Sequence, residues 1–215
     1  HRPEGVRVKH SVQSNSVKMY DKQGNILRIE TTMNDPYRFK AYRPKESDPK
    51  GPRQWRYLRK GVADAQRRAE ICQGVNDRYL EALASLDSAV PIKQLVAAVC
   101  RPTRWKRRPV RALQPWSAVD QELLAVISRG AYVLQGFRNR DLVAHLYPKA
   151  GGDPAEQHRA AARITRLLRL LRAHGLVRKI SGTHRYRLTP KGREITTAVL
   201  RYQSATLQQL SRIPA

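Results

Sequence analysis

Alternation of apolar and polar residues over positions 6–33 predicts antiparallel β-strands. Val6, Val8 and Val12 are separated by charged and polar residues, which is the period-two pattern of a half-buried strand. Positions 21–25 are polar, include a glycine and suit a tight turn. The N-terminal segment is therefore expected to form a β-hairpin or a three-stranded meander.

The hydrophobic spacing changes to three and four residues after position 60, which predicts helices. One helix is expected over 61–86, and a second short one over 91–99, because a proline at its start suits a first helical turn. Two segments rich in proline and charge, 44–53 and 101–115, have the composition of exposed loops.

Helix start and stop signals are clearest in the last hundred residues. Ser117 suits an N-cap with Asp120 at the reciprocal position of a capping box, and Gly130 is expected at the C′ position. Asp153 is expected to cap a later helix that Gly175 ends. The elements expected are helices at 117–130, 138–147 and 153–174, strands at 176–180 and 184–188, and a final helix from Pro190.

Three helices, a two-stranded hairpin and a closing helix, in this order, describe a winged helix-turn-helix. The expected fold class is α+β, with an N-terminal β-hairpin or meander and a helical region, followed by the winged helix. The expected domains are 1–115, as the end of a larger N-terminal domain, and 116–215. Because the chain begins at His1 and its first methionine is Met19, an upstream segment is expected.

Two stretches of this C-terminal region resemble a known family. Residues 163–174, RITRLLRLLRAH, followed by Gly175 and LVRK, resemble the recognition helix and first wing strand of MarR-type regulators. Residues 186–193, YRLTPKGR, resemble the second wing strand and the start of the closing helix. The resemblance covers about 117–200 and implies a regulator that binds double-stranded DNA. The N-terminal half resembles only uncharacterised bacterial proteins, which suggests a cytoplasmic protein.

The charge of the chain points to a polyanionic partner. Its 215 residues include 42 Lys or Arg and 17 Asp or Glu, so the formal charge is +25. Basic residues cluster in three windows, 37–60, 101–111 and 154–193, which hold 26 of the 42 basic residues but 3 of the 17 acidic ones. Such clustering favours nucleic acid over an anionic membrane or a merely solvated surface.

Other chemistry is excluded or disfavoured by composition. No run of apolar residues approaches the ~20 that a membrane-spanning helix needs. Cys72 and Cys100 are the only cysteines, which indicates a reducing compartment and no disulfide framework. The histidines and cysteines lack the short spacings of a zinc site, so no metal and no cofactor are expected.

The third helix of the winged helix carries the strongest candidate site. Arg159, Arg163 and Arg166 are spaced to form a stripe separate from the apolar face, so they are expected to face the major groove. The wing and the basic segment 101–111 are expected to contact phosphates. The full set of expected DNA-binding residues is Arg159, Arg163, Thr165, Arg166, Arg169, Arg178, Lys179, His184, Arg185, Arg104, Lys106, Arg107 and Arg108.

Two other functions stay open at this level. One is a metal-dependent nuclease or transposase that uses Asp21 and Glu30, although a turn explains the first and a cross-strand pair with Lys18 the second. The other is an RNA-binding module. As a binder, the protein would act in transcriptional regulation or as part of a mobile element.

Aromatic residues beside basic ones raise two further questions. Trp55 and Tyr57 invite stacking on bases, Trp105 lies in a very basic loop, and Trp116 is expected in the core. The last helix presents Ile195, Val199 and Tyr202 on one face, which either forms a homodimer or packs on its own domain.

Overall fold

The structure, a computed structural model, describes residues 7–22, 26–84 and 90–205 and has the mixed helix and strand content of an α+β protein. In chain order its elements are β1 (Arg7–Val12), β2 (Asn15–Lys22), β3 (Ile26–Met33), β4 (Lys40–Arg43), β5 (Gln54–Tyr57), α1 (Ala65–Ala84), α2 (Ile92–Ala97), β6 (Thr103–Trp105), β7 (Arg108–Val110), α3 (Ala118–Ile127), α4 (Tyr132–Gln135), α5 (Asn139–Leu146), α6 (Pro154–Ala173), β8 (Val177–Lys179), β9 (Tyr186–Leu188) and α7 (Pro190–Ser204).

The chain forms two compact units. The first contains the described residues up to Glu81 together with 130–135 and 181–183, and the second contains the rest. The units therefore divide the chain differently from the expected boundary at residue 115, because 82–115 falls in the second unit. None of the described helices is long and apolar enough to cross a membrane.

The first unit is built on an antiparallel sheet in the order β1-β2-β3, which confirms the expected meander. Val6 and the expected turn residues 23–25 lie outside the described residues. Val17 and Met19 of β2 are buried, as are Val75 and Tyr79 of α1. The Thr31 hydroxyl donates to Asn76 Oδ1 of α1 at 2.8 Å. The sheet therefore presents one apolar face and the helix one apolar stripe, the usual requirement for a shared core.

A second hairpin, β4 with β5, was not expected from the sequence. Its strands have four residues each and pair antiparallel on either side of the predicted loop 44–53. Strands this short give little periodic signal, and their exposed face is aromatic instead of polar.

Asp64, just before α1, holds together the segments around it and is 7% exposed. Its carboxylate accepts from the Arg59 backbone N–H at 2.9 Å and from Arg59 Nη2 at 3.0 Å, and Arg43 Nε lies 3.4 Å away. The hydrogen bonds from the Arg59 side chain lower the pKa of Asp64, with further lowering by the Arg59 backbone N–H and the Arg43 charge.

We expect acid to weaken the first unit through Asp64. Because its folded-state pKa is lowered, its stabilisation is complete above about pH 4 and is lost as the pH falls through the folded pKa. Asp64→Asn should cost about 2 kcal/mol at pH 7 and should flatten the pH dependence of the melting temperature between pH 5 and pH 2. Asp77→Asn, at an exposed position on α1, is the matched control. An unchanged pH profile in Asp64→Asn would contradict this assignment.

The second unit has its core where α3, α5, α6 and α7 meet. Leu124, Leu142, Ile164, Leu171 and Val199 are fully buried there. The turn between α5 and α6 is a short 3-10 helix, and β8 pairs antiparallel with β9. The order of helices and strands from α3 onward matches the sequence-based expectation except for α4, a short helix that was not expected.

The expected helix ends are mostly confirmed. The Asp153 carboxylate accepts from Ala155 N–H at the start of α6, and Gly175 follows α6 with a φ of 73°. Gly130 is not the C′ residue, because α3 ends at Ile127 with Ser128 as its cap. The small size of Gly130 instead leaves room for the His10 ring within the first unit.

The motif TPKG has a physical explanation at the start of α7. The Thr189 hydroxyl accepts from the Gly192 N–H at 2.9 Å and donates to the Gly175 carbonyl at 2.7 Å. Gly192 lies directly on the backbone of Leu176, where a Cβ would overlap the carbonyl group. The threonine therefore caps the helix, and the glycine permits its close approach to the start of the wing.

The last helix packs on its own unit. Ile195 and Val199 are buried there, so of the three residues considered for a homodimer only Tyr202 is exposed. The Tyr202 and Trp116 rings pack edge-to-face at a centroid distance of 5.1 Å. Trp116 is 48% exposed, so its predicted place in the core is wrong.

Candidate nucleic-acid interface

The outer face of α6 carries a row of exposed arginines. Arg159, Arg163, Arg166 and Arg169 are all exposed, whereas Ile164 and its apolar neighbours are buried on the opposite side. Since a helix rises ~1.5 Å per residue, the row extends over ~15 Å. The expected outward placement of these side chains is confirmed.

The cations of this row have few partners of opposite charge. Arg159 Nη1 lies 2.6 Å from Glu156 Oε1, and the Arg163 guanidinium lies 5.8 Å from the centre of the Tyr147 ring. Arg166 and Arg169 form no ion pair within the described part of the chain. The Glu156 pair is itself exposed and thus contributes little to stability. The row is an unneutralised positive surface along most of its length.

Thr165 is committed to local hydrogen bonds. Its hydroxyl donates to the Ala161 carbonyl at 2.9 Å and accepts from Asn139 Nδ2 at 3.0 Å. Asn139 Nδ2 also donates to the Ala161 carbonyl at 2.9 Å. Thr165 therefore fixes α5 against α6 while the residue stays exposed.

The basic segment expected as a loop is a β-hairpin, so that expectation is wrong. Strands β6 and β7 pair through Trp105 and Arg108, with Lys106 and Arg107 alone in the turn. Both turn residues have positive φ, 48° and 64°, as a two-residue type I′ turn requires. Asn-Gly normally fills such a turn, and a left-handed residue with a Cβ costs ~1 kcal/mol or more. Long cationic side chains at both positions give the turn two outward charges despite that cost.

The hairpin lies beside α6 and forms a basic groove with it. Arg172 of α6 stacks over the Trp105 ring at 4.9 Å and faces Tyr186 at 6.0 Å. A hollow of about 490 Å³ separates the two elements. Its lining includes Trp105, Lys106, Arg108, Arg169, Arg172 and Tyr186. Sequence reasoning missed Arg172 and the groove, because more than 50 residues of the chain separate its two sides.

An ion pair between the half-exposed Arg111 and the buried Asp120 anchors the base of this hairpin. Arg111 donates to both oxygens of Asp120, at 2.8 and 2.6 Å, and the Gln114 N–H donates to the same carboxylate at 2.8 Å. Asp120 is 1% exposed, and its hydrogen bond to Arg111 raises the pKa of that guanidinium. His174 Nε2 lies 2.8 Å from the Arg111 carbonyl, which only accepts, so that nitrogen donates.

These contacts correct two expectations. Asp120 does not complete a capping box, because its carboxylate bonds Arg111 and Gln114; only the Ser117 hydroxyl caps α3, accepting from the Asp120 N–H. Arg111, part of the basic segment, is committed to Asp120. The exposed cations of the hairpin are Arg104, Lys106, Arg107 and Arg108.

Three of the four wing residues that were expected to bind DNA are exposed to solvent. Arg178, Lys179 and His184 are exposed. Arg185 is 6% exposed, and its Nη1 donates to the Gly136 carbonyl at 3.3 Å, so its expected contact with DNA is wrong. The residues on either side explain why: Phe137 and Tyr186 exchange two backbone hydrogen bonds, and this bridge turns Arg185 inward against Gly136.

The alternative catalytic residues do not converge. Glu30 pairs with Lys18 across β2 and β3, and it accepts from Lys18, Arg28 and the Tyr20 hydroxyl at 2.6–2.9 Å. The hydrogen bond from Lys18 lowers the pKa of Glu30. Asp21 is an odd number of residues from Lys18 on β2, so Asp21 and Glu30 project from opposite faces of the sheet. Within the described residues, no group of three or more His, Cys, Asp or Glu is placed to hold a metal ion.

No family model, no curated protein and no solved structure matches the chain. The resemblance to MarR-type regulators therefore stays a prediction from the two stretches quoted above.

Proposed function

We propose that the second unit is a winged helix that binds double-stranded DNA. In this proposal α3, α5 and α6 are the three helices, β8 and β9 are the wing, and α6 is the recognition helix. The exposed arginine row on α6 is the observation that carries the proposal. The alternative is a winged helix that binds another protein and leaves this face of α6 in solvent. Such a face has no need of four aligned arginines with a single acidic residue beside them.

In this proposal the part of α6 that enters the major groove is the part that carries the arginine row, up to Arg169. A hollow of about 440 Å³ is lined by Pro109 and Val110 of the hairpin together with Arg163, Arg166, Arg169 and the buried Leu170. The hairpin therefore borders the C-terminal part of the arginine row. The N-terminal end of a recognition helix is the end that contacts base edges in helix-turn-helix proteins. Arginine at this place donates two bonds to a guanine edge or binds phosphates.

The β6–β7 hairpin is proposed as a backbone contact beside α6. Lys106 and Arg107 extend from its turn, and the stack of Arg172 on Trp105 fixes the hairpin against the helix. Arg178 and Lys179 of the wing add a further phosphate contact. Regulation of transcription and a role in a mobile element are both compatible with such a module. A nuclease is disfavoured because Asp21 and Glu30 face away from each other.

Duplex binding is tested by titrating a labelled 24-base-pair duplex with the full chain between 50 and 200 mM NaCl. With about six phosphate contacts, affinity should fall roughly a thousandfold over this range, because counterions are released on binding. Absence of binding at 50 mM NaCl would refute the proposal. If RNA of the same sequence competes with the labelled duplex as well as unlabelled DNA does, the chain would be assigned as an RNA-binding protein instead.

Replacing Arg163 alone by alanine distinguishes the two kinds of contact. If Arg163 reads a base, Arg163→Ala should cost ~1–3 kcal/mol on the preferred site and relax the preference at one base pair. If it binds a phosphate, the loss should be uniform across sequences. Lys93→Ala is the control, because Lys93 is exposed on α2, which packs against α7. Affinity for a duplex library measures both effects.

A further inference from the structure

The β4–β5 hairpin of the first unit carries an aromatic face. Lys40 pairs with Tyr57 and Tyr42 pairs with Trp55, and paired residues two positions apart share a face of the ribbon. Tyr42 is 56% exposed, Trp55 38% and Tyr57 59%. Three large aromatic rings are therefore aligned on one side of a two-stranded ribbon and open to solvent.

The three aromatic rings are not exposed because the hairpin lacks a buried side. On the other face of the hairpin Ala41 is 6% exposed, and Leu58, directly after β5, is fully buried. The inward side thus buries Ala41 and Leu58 and also carries Arg43 and Arg56, which are half-buried. Single exposed apolar side chains are common, but contiguous exposed aromatics mark an interaction surface.

The rings are held in place before any partner binds. The centroids of Tyr42 and Trp55 are 5.5 Å apart with planes tilted by 51°. Trp55 packs directly on Gly182, whose missing Cβ makes the room, and Lys40 Nζ donates to the Gly182 carbonyl at 2.7 Å. Lys40 Nζ also lies 5.1 Å from the centre of the Tyr57 ring. Such fixed rings lose little conformational entropy on binding.

The charge around this face selects a polyanion. The window 37–60 holds nine basic and two acidic residues. Of the acidic ones, Glu46 lies 3.2 Å from Arg59. Several exposed cations near the hairpin have no ion pair within the described part of the chain: Lys45, Lys50, Arg53 and Lys60. A protein partner would be expected to offer carboxylates, but flat aromatic rings between cations suit bases joined by phosphates.

We propose that this face binds single-stranded DNA by stacking unpaired bases on Tyr42 and Tyr57. Trp55, fixed on Gly182, forms the floor between the two rings, and Lys45, Lys50 and Arg53 hold the phosphates. Proteins that bind single strands without sequence preference commonly combine aromatic side chains, on which bases stack, with a positively charged surface. The surface belongs to the first unit and its residues are distinct from the proposed duplex interface.

The test is the affinity of the full chain for a labelled twenty-nucleotide oligo-dT. The double variant Tyr42→Leu with Tyr57→Leu keeps apolar bulk but removes both rings, and it should bind at least ~30-fold more weakly, since stacking contributes ~1–3 kcal/mol per base. The variant Tyr42→Phe with Tyr57→Phe should bind like the wild type. Tyr202→Leu, at an exposed tyrosine of α7, is the matched control.

Duplex affinity separates this proposal from the preceding one. The double leucine variant should bind a 24-base-pair duplex as the wild type does. An unchanged thermal melting profile of that variant would show that its first unit is folded. Unchanged affinity for oligo-dT in that variant would overturn the proposal, as would an equal loss for duplex and single strand. Tighter binding of oligo-U than of oligo-dT would overturn the assignment to DNA.

Discussion

Alanine at Arg159, Arg163, Arg166 and Arg169 together is expected to abolish high-affinity duplex binding. In the proposed complex each side chain neutralises a phosphate or contacts a base, and each such contact contributes ~1 kcal/mol or more. The combined loss should be about a thousandfold or greater at 50 mM salt. The slope of log affinity against log salt should fall by about 0.9 for each phosphate contact removed, so by as much as ~3.6.

The matched control for this experiment removes the same charge from the first unit. Alanine at Lys45, Lys50, Arg53 and Lys60 lowers the formal charge of +25 by the same four units. It should leave duplex affinity within a few-fold of the wild type while weakening binding to oligo-dT. Equal duplex losses in the two quadruple variants would mean that net charge, and not α6, attracts the duplex.

Gly192→Ala is expected to destabilise the second unit by about 3 kcal/mol. A Cβ at this position would overlap the backbone carbonyl of Leu176, and backbone atoms cannot move aside as a flexible side chain does. Relief would require α7 to shift, which disturbs the burial of Ile195 and Val199 as well as the cap at Thr189.

The same substitution at Gly151 is the control for Gly192. A Cβ at Gly151 meets nothing within 4 Å, so Gly151→Ala should change stability by less than ~0.5 kcal/mol. Urea unfolding followed by tryptophan fluorescence measures the stability of both glycine variants. In a Trp55→Phe background the signal reports on the second unit, because the remaining Trp105 and Trp116 lie there. Equal stability of the two glycine variants would show that α7 does not pack closely on Leu176.

Exposure of the arginine row on α6 was predictable, and the neighbouring hairpin was not. Apolar residues at helical spacing fix which side of α6 is buried, so the side that carries Arg163 and Arg166 follows by elimination. The hairpin turn has no Gly or Asn at Lys106 and Arg107, which are the residues that normally announce a type I′ turn. Its place beside α6 depends on contacts such as Arg172 on Trp105, between residues far apart in the chain.

Charged residues were the least predictable, because the partner that decides their role is distant. Arg185 and Lys179 have similar composition around them, yet Arg185 is buried on the Gly136 carbonyl and Lys179 is exposed. Asp120 occupies the position of a capping residue, but Arg111 competes for its carboxylate with two charge-assisted hydrogen bonds. A local pattern contains no information about such competitors.

The sequence by itself determined the N-terminal meander, the order of the main helices and the wing from α3 onward, most helix ends and the basic character of the chain. These follow from backbone preferences at Asp153, Gly175 and Thr189, from hydrophobic periodicity and from the count of charges, all of which act over a few residues. Only the tertiary structure decided which cations outside α6 face solvent, that a hairpin and α6 share a groove, and that Tyr42 and Tyr57 are open on one face. Those outcomes depend on packing between distant segments, since burial of a side chain is a property of everything that surrounds it.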